Sequence, residues 1–284
     1  MGKPGFLQLF LLAVIVFSTL ALTFNPSQAA SKGKIVVAVS IPPLAEWVEK
    51  VGGNRVEALV LIPKGASPHL YEPPPSTLLE ACKAKLIVMV GLGLEPWTEK
   101  IIQINPEAKI LRVAEGVKLR SLEGKPDPHV WLSLKVAVKA VSRIAQALAE
   151  LDPDHAGFYR ENAEAYQAEL LRLHREIETM LSKFKGETLL VAHPAWGYFA
   201  DDYGLKQLFI GDDPSPARVA SVIEKARSLG IKTVFAEPFS SLKTVELVAG
   251  EIGGKILFLD PLPADYVEGL RRNALTIMEG LKDG

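Results

Sequence analysis

KIVVAVS, residues 34–40, is an apolar run of five residues between a lysine and a serine. It lacks the alternation of polar and apolar residues that marks a strand with one face in water. A strand that is apolar on both faces is typical of a parallel sheet covered by helices on each side. The run therefore predicts an α/β architecture for the chain around it.

Short apolar runs of this kind recur along the chain and alternate with helical patterns, as repeated α/β units do. The further predicted strands are Glu57–Ile62, Leu86–Val90, Lys109–Val113, Glu187–Ala192, Gln207–Ile210, Lys232–Ala236 and Lys255–Leu259. The predicted helices between them include Pro43–Val51, Pro75–Ala84, Lys135–Leu151, Pro216–Leu229 and Ser241–Ile252.

One long helical segment, Pro153–Lys185, separates the first four predicted strands from the last four. Asp152 is its predicted N-cap, and Gly186 is predicted to end it. A helix of this length reaches roughly 45 Å. It is either a packing helix within one domain or, as we expect, a rigid connector between two α/β lobes. Its apolar stripe has steps of three and four residues and comprises Ala163, Tyr166, Leu170, Leu173, Ile177, Met180 and Phe184.

The N-terminus has the pattern of a secretory signal peptide. Lys3 precedes a mostly apolar segment at 6–24, and the small residues Ser27 and Ala29 suggest cleavage after Ala29. An uncleaved membrane anchor is the alternative, because the apolar segment is nearly long enough to span a bilayer. The predicted division is a signal peptide at 1–29, a first α/β lobe at 30–151, a connector helix at 152–186 and a second α/β lobe at 187–284.

The predicted location is extracytoplasmic or periplasmic, after secretion across the inner membrane. No cysteine lies near the predicted cleavage site, so we expect a protein that is not lipid-anchored. The single cysteine, Cys82, has apolar neighbours and is predicted to be a buried, inert thiol. The 32 basic and 33 acidic residues give a net charge of −1, which argues against a nucleic-acid partner. We expect a monomer.

Four side chains are candidate metal ligands: His69, His129, His193 and Asp260. All but His129 follow the end of a predicted strand, and ligands bind at the carboxyl edge of open α/β sheets. Two further histidines, His155 and His174, fall on the predicted connector and are expected to be solvated surface residues.

Three imidazoles and one carboxylate form a plausible four-coordinate zinc site. Imidazole also suits copper, iron and nickel, and mixed nitrogen and oxygen donors can hold manganese. The four residues are spread over most of the chain, and the spacing by itself leaves open that each histidine is structural.

The order of several motifs resembles that of the metal-specific solute-binding proteins of ABC transporters, the zinc and manganese family that includes the lipoprotein adhesins. The motifs are Pro68-His69 with Tyr71-Glu72-Pro73, Gly91-Leu92-Gly93-Leu94-Glu95-Pro96-Trp97, Asp127-Pro128-His129-Val130-Trp131-Leu132, His193 with Gly197-Tyr198-Phe199, Phe235-Ala236-Glu237-Pro238-Phe239-Ser240, and Leu259-Asp260-Pro261-Leu262.

This resemblance implies two α/β lobes joined by a long helix, with metal ligands at His69, His129, His193 and Asp260. It also implies that the cargo is Zn2+, or alternatively Mn2+ or iron, and that the partner is the membrane permease of an ABC importer. Zinc members often carry a loop rich in histidine and acids before the second ligand, whereas Val117–Pro126 here contains no histidine.

Two other functions stay open beside metal transport. A secreted zinc hydrolase would need an open coordination position and a nearby base such as Glu237. Four candidate ligands and the lack of a His-Glu-x-x-His helix disfavour it, so we do not expect an enzyme. An added role as an adhesin is compatible with the sequence.

Overall fold

Two four-stranded parallel sheets form the framework of the protein, whose computed structural model describes residues 33–282. The first sheet has the order β2-β1-β3-β4 and the second has the order β10-β9-β7-β8, while β5 and β6 form a short hairpin between them in the chain. The strands are β1 Ile35–Val39, β2 Val56–Val60, β3 Leu86–Met89, β4 Lys109–Arg112, β5 Ser121–Leu122, β6 Lys125–Pro126, β7 Thr188–Val191, β8 Lys206–Phe209, β9 Thr233–Ala236 and β10 Lys255–Phe258.

Helices connect the strands and cover the sheets. Among the described residues, none of them has both the length and the apolar character that crossing a bilayer requires. The helices are α1 Pro42–Gly52, α2 Pro75–Ala81, α3 Thr98–Ile104, α4 Leu134–Leu151, α5 Ala156–Leu181, α6 Gly197–Tyr203, α7 Pro216–Ser228, α8 Leu242–Ile252 and α9 Tyr266–Leu281.

The two sheets share one connection order, because β8-β7-β9-β10 in the second repeats β2-β1-β3-β4 in the first. In each, the first strand pairs in parallel with the second on one side and with the third on the other. Val37, Ala38 and Val39 of β1 are fully buried, as a strand covered on both faces requires. The prediction of two α/β lobes with parallel sheets is confirmed, and the predicted strand ends differ from the observed ones by one or two residues.

The connector consists of α5 with a 3-10 turn at each end, Pro153–His155 and Ser182–Phe184. Asp152 lies at the predicted N-cap position, ahead of the first of these turns, but its side chain makes no capping hydrogen bond. Its Oδ2 instead accepts hydrogen bonds from His155 Nδ1 and Tyr159 Oη at 2.8 Å each. The predicted apolar stripe repeats every 3.5 residues on average, whereas the helix has 3.6 residues per turn, so the stripe moves gradually around the helix axis. The buried face therefore ends on Leu181 instead of Met180, and it comprises Tyr159, Ala163, Tyr166, Leu170, Leu173, Ile177 and Leu181.

The predicted limits of the two lobes, at residues 151 and 186, stay a prediction. The predicted signal peptide at 1–29 lies outside the described residues. Cys82 is half-buried instead of fully buried, at the end of α2.

Contacts made by α9 join the two lobes to the connector. Glu46 on α1 accepts hydrogen bonds from Tyr166 Oη on α5, at 2.7 Å, and from the backbone N–H of Tyr266. The Tyr266 ring packs edge-on against Trp47, with ring centroids 5.2 Å apart. Tyr266 Oη donates to the carbonyl of Trp131 at 2.5 Å. The buried N-terminal end of α9 thus contacts the first lobe directly, and through Glu46 it is linked to the connector helix α5.

We expect Glu46→Ala to lower the free energy of unfolding by about 2–3 kcal/mol, because it leaves a buried hydroxyl and a buried N–H without their acceptor. Urea unfolding of the metal-free protein measures this. Glu49→Ala is the matched control, since Glu49 is exposed on the same helix. Equal unfolding midpoints for the two variants would contradict the assignment of Glu46 as a structural link.

Candidate metal centre

Three histidines from the two lobes converge on one point. Nε2 of His129 lies 3.1 Å from Nε2 of His69 and 3.0 Å from Nε2 of His193. The possible ligand atoms of the three residues all lie within 4.8 Å of one another. His129 and His193 are buried, while His69 is exposed at the rim. This is the geometry of three imidazoles around a single small cation.

The position of His193 follows from the topology of the second sheet. It lies just after β7. The chain continues from β7 to β8 on one side and then crosses to β9 on the other side, so the direction of the connections reverses beside β7. The neighbouring Ala192 continues the pairing, because its N–H donates to the carbonyl of Phe235 at 2.7 Å. In open α/β sheets this carboxyl edge, at the point of reversal, forms the binding crevice.

The other two histidines come from loops of the first lobe. His69 lies in the proline-containing loop between β2 and α2, where Pro68 and Pro73 restrict the backbone. His129 precedes the 3-10 turn Val130–Leu132, which leads into α4. The turn is held against the second lobe, because Trp131 Nε1 donates to the carbonyl of Pro261 at 2.7 Å.

Two carboxylates orient the buried imidazoles. His129 Nδ1 lies 2.8 Å from Asp127 Oδ1, and His193 Nδ1 lies 2.7 Å from Asp212 Oδ1. A carboxylate only accepts hydrogen bonds, so each Nδ1 carries the proton and each Nε2 keeps its lone pair. Carboxylate partners of this kind are typical of histidines that bind metals, and they make the imidazole more basic toward the ion.

The surroundings lower the pKa of two of the imidazoles, those of His69 and His129. Loss of water around the ring, followed by repulsion from His129 and His193, lowers the pKa of His69 to about 4. Burial likewise lowers the pKa of His129, against the opposing effect of Asp127. The hydrogen bond from His193 lowers the pKa of Asp212, so this carboxylate stays ionised. The lowered pKa values of His69 and His129 let these two rings coordinate a cation at neutral pH without first losing protons.

Asp260 is not part of this group of ligand atoms among the described residues. Its Oδ1 accepts a hydrogen bond from the backbone N–H of Leu262 at 2.9 Å. The buried Asn273 holds its backbone from both sides, at 3.0 and 2.7 Å. Asp260 follows β10 and therefore lies at the same sheet edge as His193, two strands away. Its assignment as a fourth ligand stays a prediction.

Glu237 follows β9 beside His193 and is fully buried. Burial raises the pKa of Glu237. Its carboxylate accepts hydrogen bonds from Ser240 Oγ at 2.7 Å, Trp196 Nε1 at 3.1 Å and the His193 N–H at 3.3 Å. These contacts brace the loop that carries His193 and leave little room for a role as a general base.

The roles of Asp127 and Asp212 as partners of the histidines were not predicted from the sequence. Asp212 follows β8 by a few residues, so its place after a strand end was an available signal. His155 and His174 lie outside the cluster, as predicted, but neither is a solvated surface residue. Both are half-buried, and His174 Nδ1 lies 3.1 Å from Tyr203 Oη.

Comparison with known proteins identifies the family of the chain. The family model described as zinc-uptake complex component A, periplasmic, matches residues 37–280. The chain belongs to this family.

Similar proteins of this zinc-uptake component family differ in the metal that they are named for. A crystal structure of ZnuA superposes with a TM-score of 0.84 at 38% identity, covering 87% of this chain and 99% of that one. The manganese-binding lipoprotein MntA of Halalkalibacterium halodurans is 30% identical, with 87% of this chain and 88% of MntA covered. The high-affinity zinc uptake system protein ZnuA of Bacillus subtilis is 29% identical, covering 90% of this chain and 89% of that protein.

One prediction about location is wrong. The sequence predicts a protein that is not lipid-anchored, whereas relatives such as the manganese-binding lipoprotein of Halalkalibacterium halodurans are named as lipoproteins. The expectation relied on the absence of a cysteine near Ala29, in a segment outside the described residues.

We expect the His69 imidazole of the metal-free protein to titrate with a midpoint near 4, because desolvation and two neighbouring imidazoles oppose its protonation. An ordinary histidine titrates near 6.5. The sign is that of a lowered pKa, so His69 stays neutral and available to metal at mildly acidic pH. The measurement is an NMR titration of the ring resonances, assigned with His69→Gln. A midpoint close to 6.5 would show that the ring does not face the cluster.

Proposed function

We propose that the protein captures a zinc ion between its two lobes and delivers it to the membrane permease of an ABC importer. His69, His129 and His193 are the proposed nitrogen ligands, and Asp260 is the proposed oxygen ligand. The observation that carries the proposal is the approach of three Nε2 atoms, two of them to about 3 Å of His129, with both buried rings oriented by carboxylates. We propose that the protein acts as a monomer and binds no nucleic acid.

Asp260 is the best available fourth donor on topological grounds. It follows β10, whose carboxyl end lies at the same edge of the sheet as the ends of β7, before His193, and β9, before Glu237. Since Glu237 is occupied by three hydrogen bonds, Asp260 is the nearest strand-end carboxylate beyond it along the sheet. Coordination requires its Oδ1 to exchange the Leu262 N–H for the ion, or its second oxygen to turn toward the cluster.

The donor set favours zinc over manganese. Three imidazoles and one carboxylate form a softer ligand set than one with more carboxylates, and softer ligands favour zinc. Zinc also lies above manganese in the general order of divalent-metal affinities for protein ligands. The short hairpin of β5 and β6 lies in the segment Val117–Pro126, where zinc members often carry a histidine-rich loop. One common marker of zinc-binding members is therefore missing. We give more weight to the donor atoms, because they contact the ion directly. A manganese or iron cargo is the alternative.

A binding role fits the site better than catalysis. A catalytic zinc site keeps a position open for water beside a general base. Here the proposed fourth position is filled by Asp260, and the nearby Glu237 is buried with its oxygens in hydrogen bonds. We therefore propose that the protein is not an enzyme.

Alanine at His69, His129 or His193 should each weaken zinc binding by more than about 100-fold, beyond the effect of losing an outer-shell partner. Asp260→Ala should also weaken it, to a smaller extent. Competition with a chromophoric chelator measures the affinity. The controls are His155→Ala and His174→Ala, which remove half-buried histidines outside the cluster. Loss of zinc with His174→Ala and retention with His129→Ala would overturn the site.

Zinc should displace manganese when both are offered at equal free concentration at neutral pH, because nitrogen donors prefer zinc. Elemental analysis of the protein after dialysis against the two buffered metals gives the ratio directly. Asp260→Ala serves as a comparison, since removing the hard oxygen donor should shift the ratio further toward zinc. Preferential retention of manganese by the unchanged protein would favour the alternative cargo.

A further inference from the structure

Helix α6 begins four residues after His193 and reaches across to the first lobe. Asp201, near its C-terminal end, forms an ion pair with Arg120 Nη1. Arg120 lies just before the β5–β6 hairpin, and its Nε also lies 3.7 Å from Asp127 Oδ2. The carboxylate of Asp127 that orients His129 is thus connected through one guanidinium to the helix that follows His193.

The approach of α6 to Asp127 is close and depends on a glycine. A Cβ atom at Gly197 would lie 2.6 Å from Arg120 Nε and 3.0 Å from Asp127 Oδ2. In the next position, Tyr198 Oη accepts a hydrogen bond from the Arg120 N–H at 3.0 Å and donates one to the Asp127 carbonyl at 3.1 Å. The first turn of α6 therefore contacts both ends of the chain segment that leads into His129.

The chain after His129 is held by the same helix. Asp202 Oδ2 accepts a hydrogen bond from Ser133 Oγ at 2.6 Å, and Lys135 Nζ lies 3.2 Å from Asp202 Oδ1. Ser133 also caps α4, because its Oγ accepts from the Val136 N–H at 3.3 Å. The Asp202 side chain is only 11% exposed, so its hydrogen bond with Ser133 differs from solvated surface ion pairs, which contribute about 0–1 kcal/mol.

We propose that α6 is a positioning element of the metal site: Tyr198, Asp201 and Asp202 hold the chain on both sides of His129 and so set the distance between His129 and His193. This inference rests on the proposed function of the histidines. The physical reason is that the two buried ligands come from different lobes. Contacts between the lobes are therefore needed to keep their nitrogens at a fixed distance from each other. Metal affinity then depends on residues that do not touch the ion.

Arg120→Ala, Asp201→Ala and the double variant test the first half of this link. Each single variant should weaken zinc binding by roughly 10- to 100-fold, the range for residues that orient metal ligands. The double variant should be no worse than the single ones, because all three remove the same connection. Glu224→Ala, at an exposed acid on α7 of the same lobe, is the control. Affinities of folded variants within about twofold of the unchanged protein, or effects that add fully, would overturn the proposal.

Three further variants separate positioning from simple loss of structure. Asp202→Asn keeps an oxygen that accepts from Ser133 and should retain most of the affinity, whereas Asp202→Ala should not. Gly197→Ala removes no polar group, yet it should weaken zinc binding because its Cβ displaces Arg120 and Asp127. The visible absorption spectrum of the Co2+-loaded protein reports the ligand geometry and should change in Asp202→Ala and Gly197→Ala. An unchanged spectrum in both would contradict a positioning role.

His129→Ala is measured in parallel. Retention of zinc by His129→Ala would show that the proposed function is wrong at its site. Loss of zinc by His129→Ala together with unaltered binding in the α6 variants would leave the site in place and overturn only the role of α6. If the double variant fails to fold, Arg120→Ala decides the question by itself, since Arg120 lies in a loop segment ahead of β5.

Discussion

The close approach of three imidazoles, with the Nε2 atoms of His69 and His193 each about 3 Å from that of His129, is the constraint on which the rest of the structure depends. Lone pairs that face one another in a partly buried site repel, and a cation at their centre turns this repulsion into coordination. The pKa of His69 is about 4 and that of His129 is also lowered, so protonation does not relieve the crowding at neutral pH. The fold must therefore hold the rings in place against their mutual repulsion.

The two parallel sheets supply the rigid part of that support. In a parallel sheet covered on both faces, a slip of one residue in register would move every side chain to the opposite face and disrupt its close packing against the helices there. His193, Glu237 and Asp260 each follow a strand of the second sheet, and the first sheet repeats the same connection order. Side chains on such strand ends are placed more accurately than side chains on long loops, which suits a site that needs defined nitrogen positions.

Contacts between the lobes supply the remaining support. Tyr266 and Trp131 link them through the core, and the acids of α6 link them at the site itself. The connector helix adds a continuous stretch that resists bending. His69 stands apart from this frame, because it lies on an exposed loop and meets the cluster only at the rim. The site thus combines two firmly held ligands with a third that borders solvent.

What the sequence determined by itself was the α/β class, the eight parallel strands, the long helix and the three histidines, because period and composition report local structure and burial directly. The β1 run and the helix stripe are signals of this kind, although the drift of a 3.5-residue repeat moved the buried end from Met180 to Leu181. Only the tertiary structure decided that Asp212 serves His193 and that Asp201 pairs with Arg120. Asp212 is 19 residues from His193, and Asp201 is 81 residues from Arg120 in a different lobe, so no local pattern relates them. Their pairing arises where strand ends and lobes meet, and that meeting is a property of the folded chain.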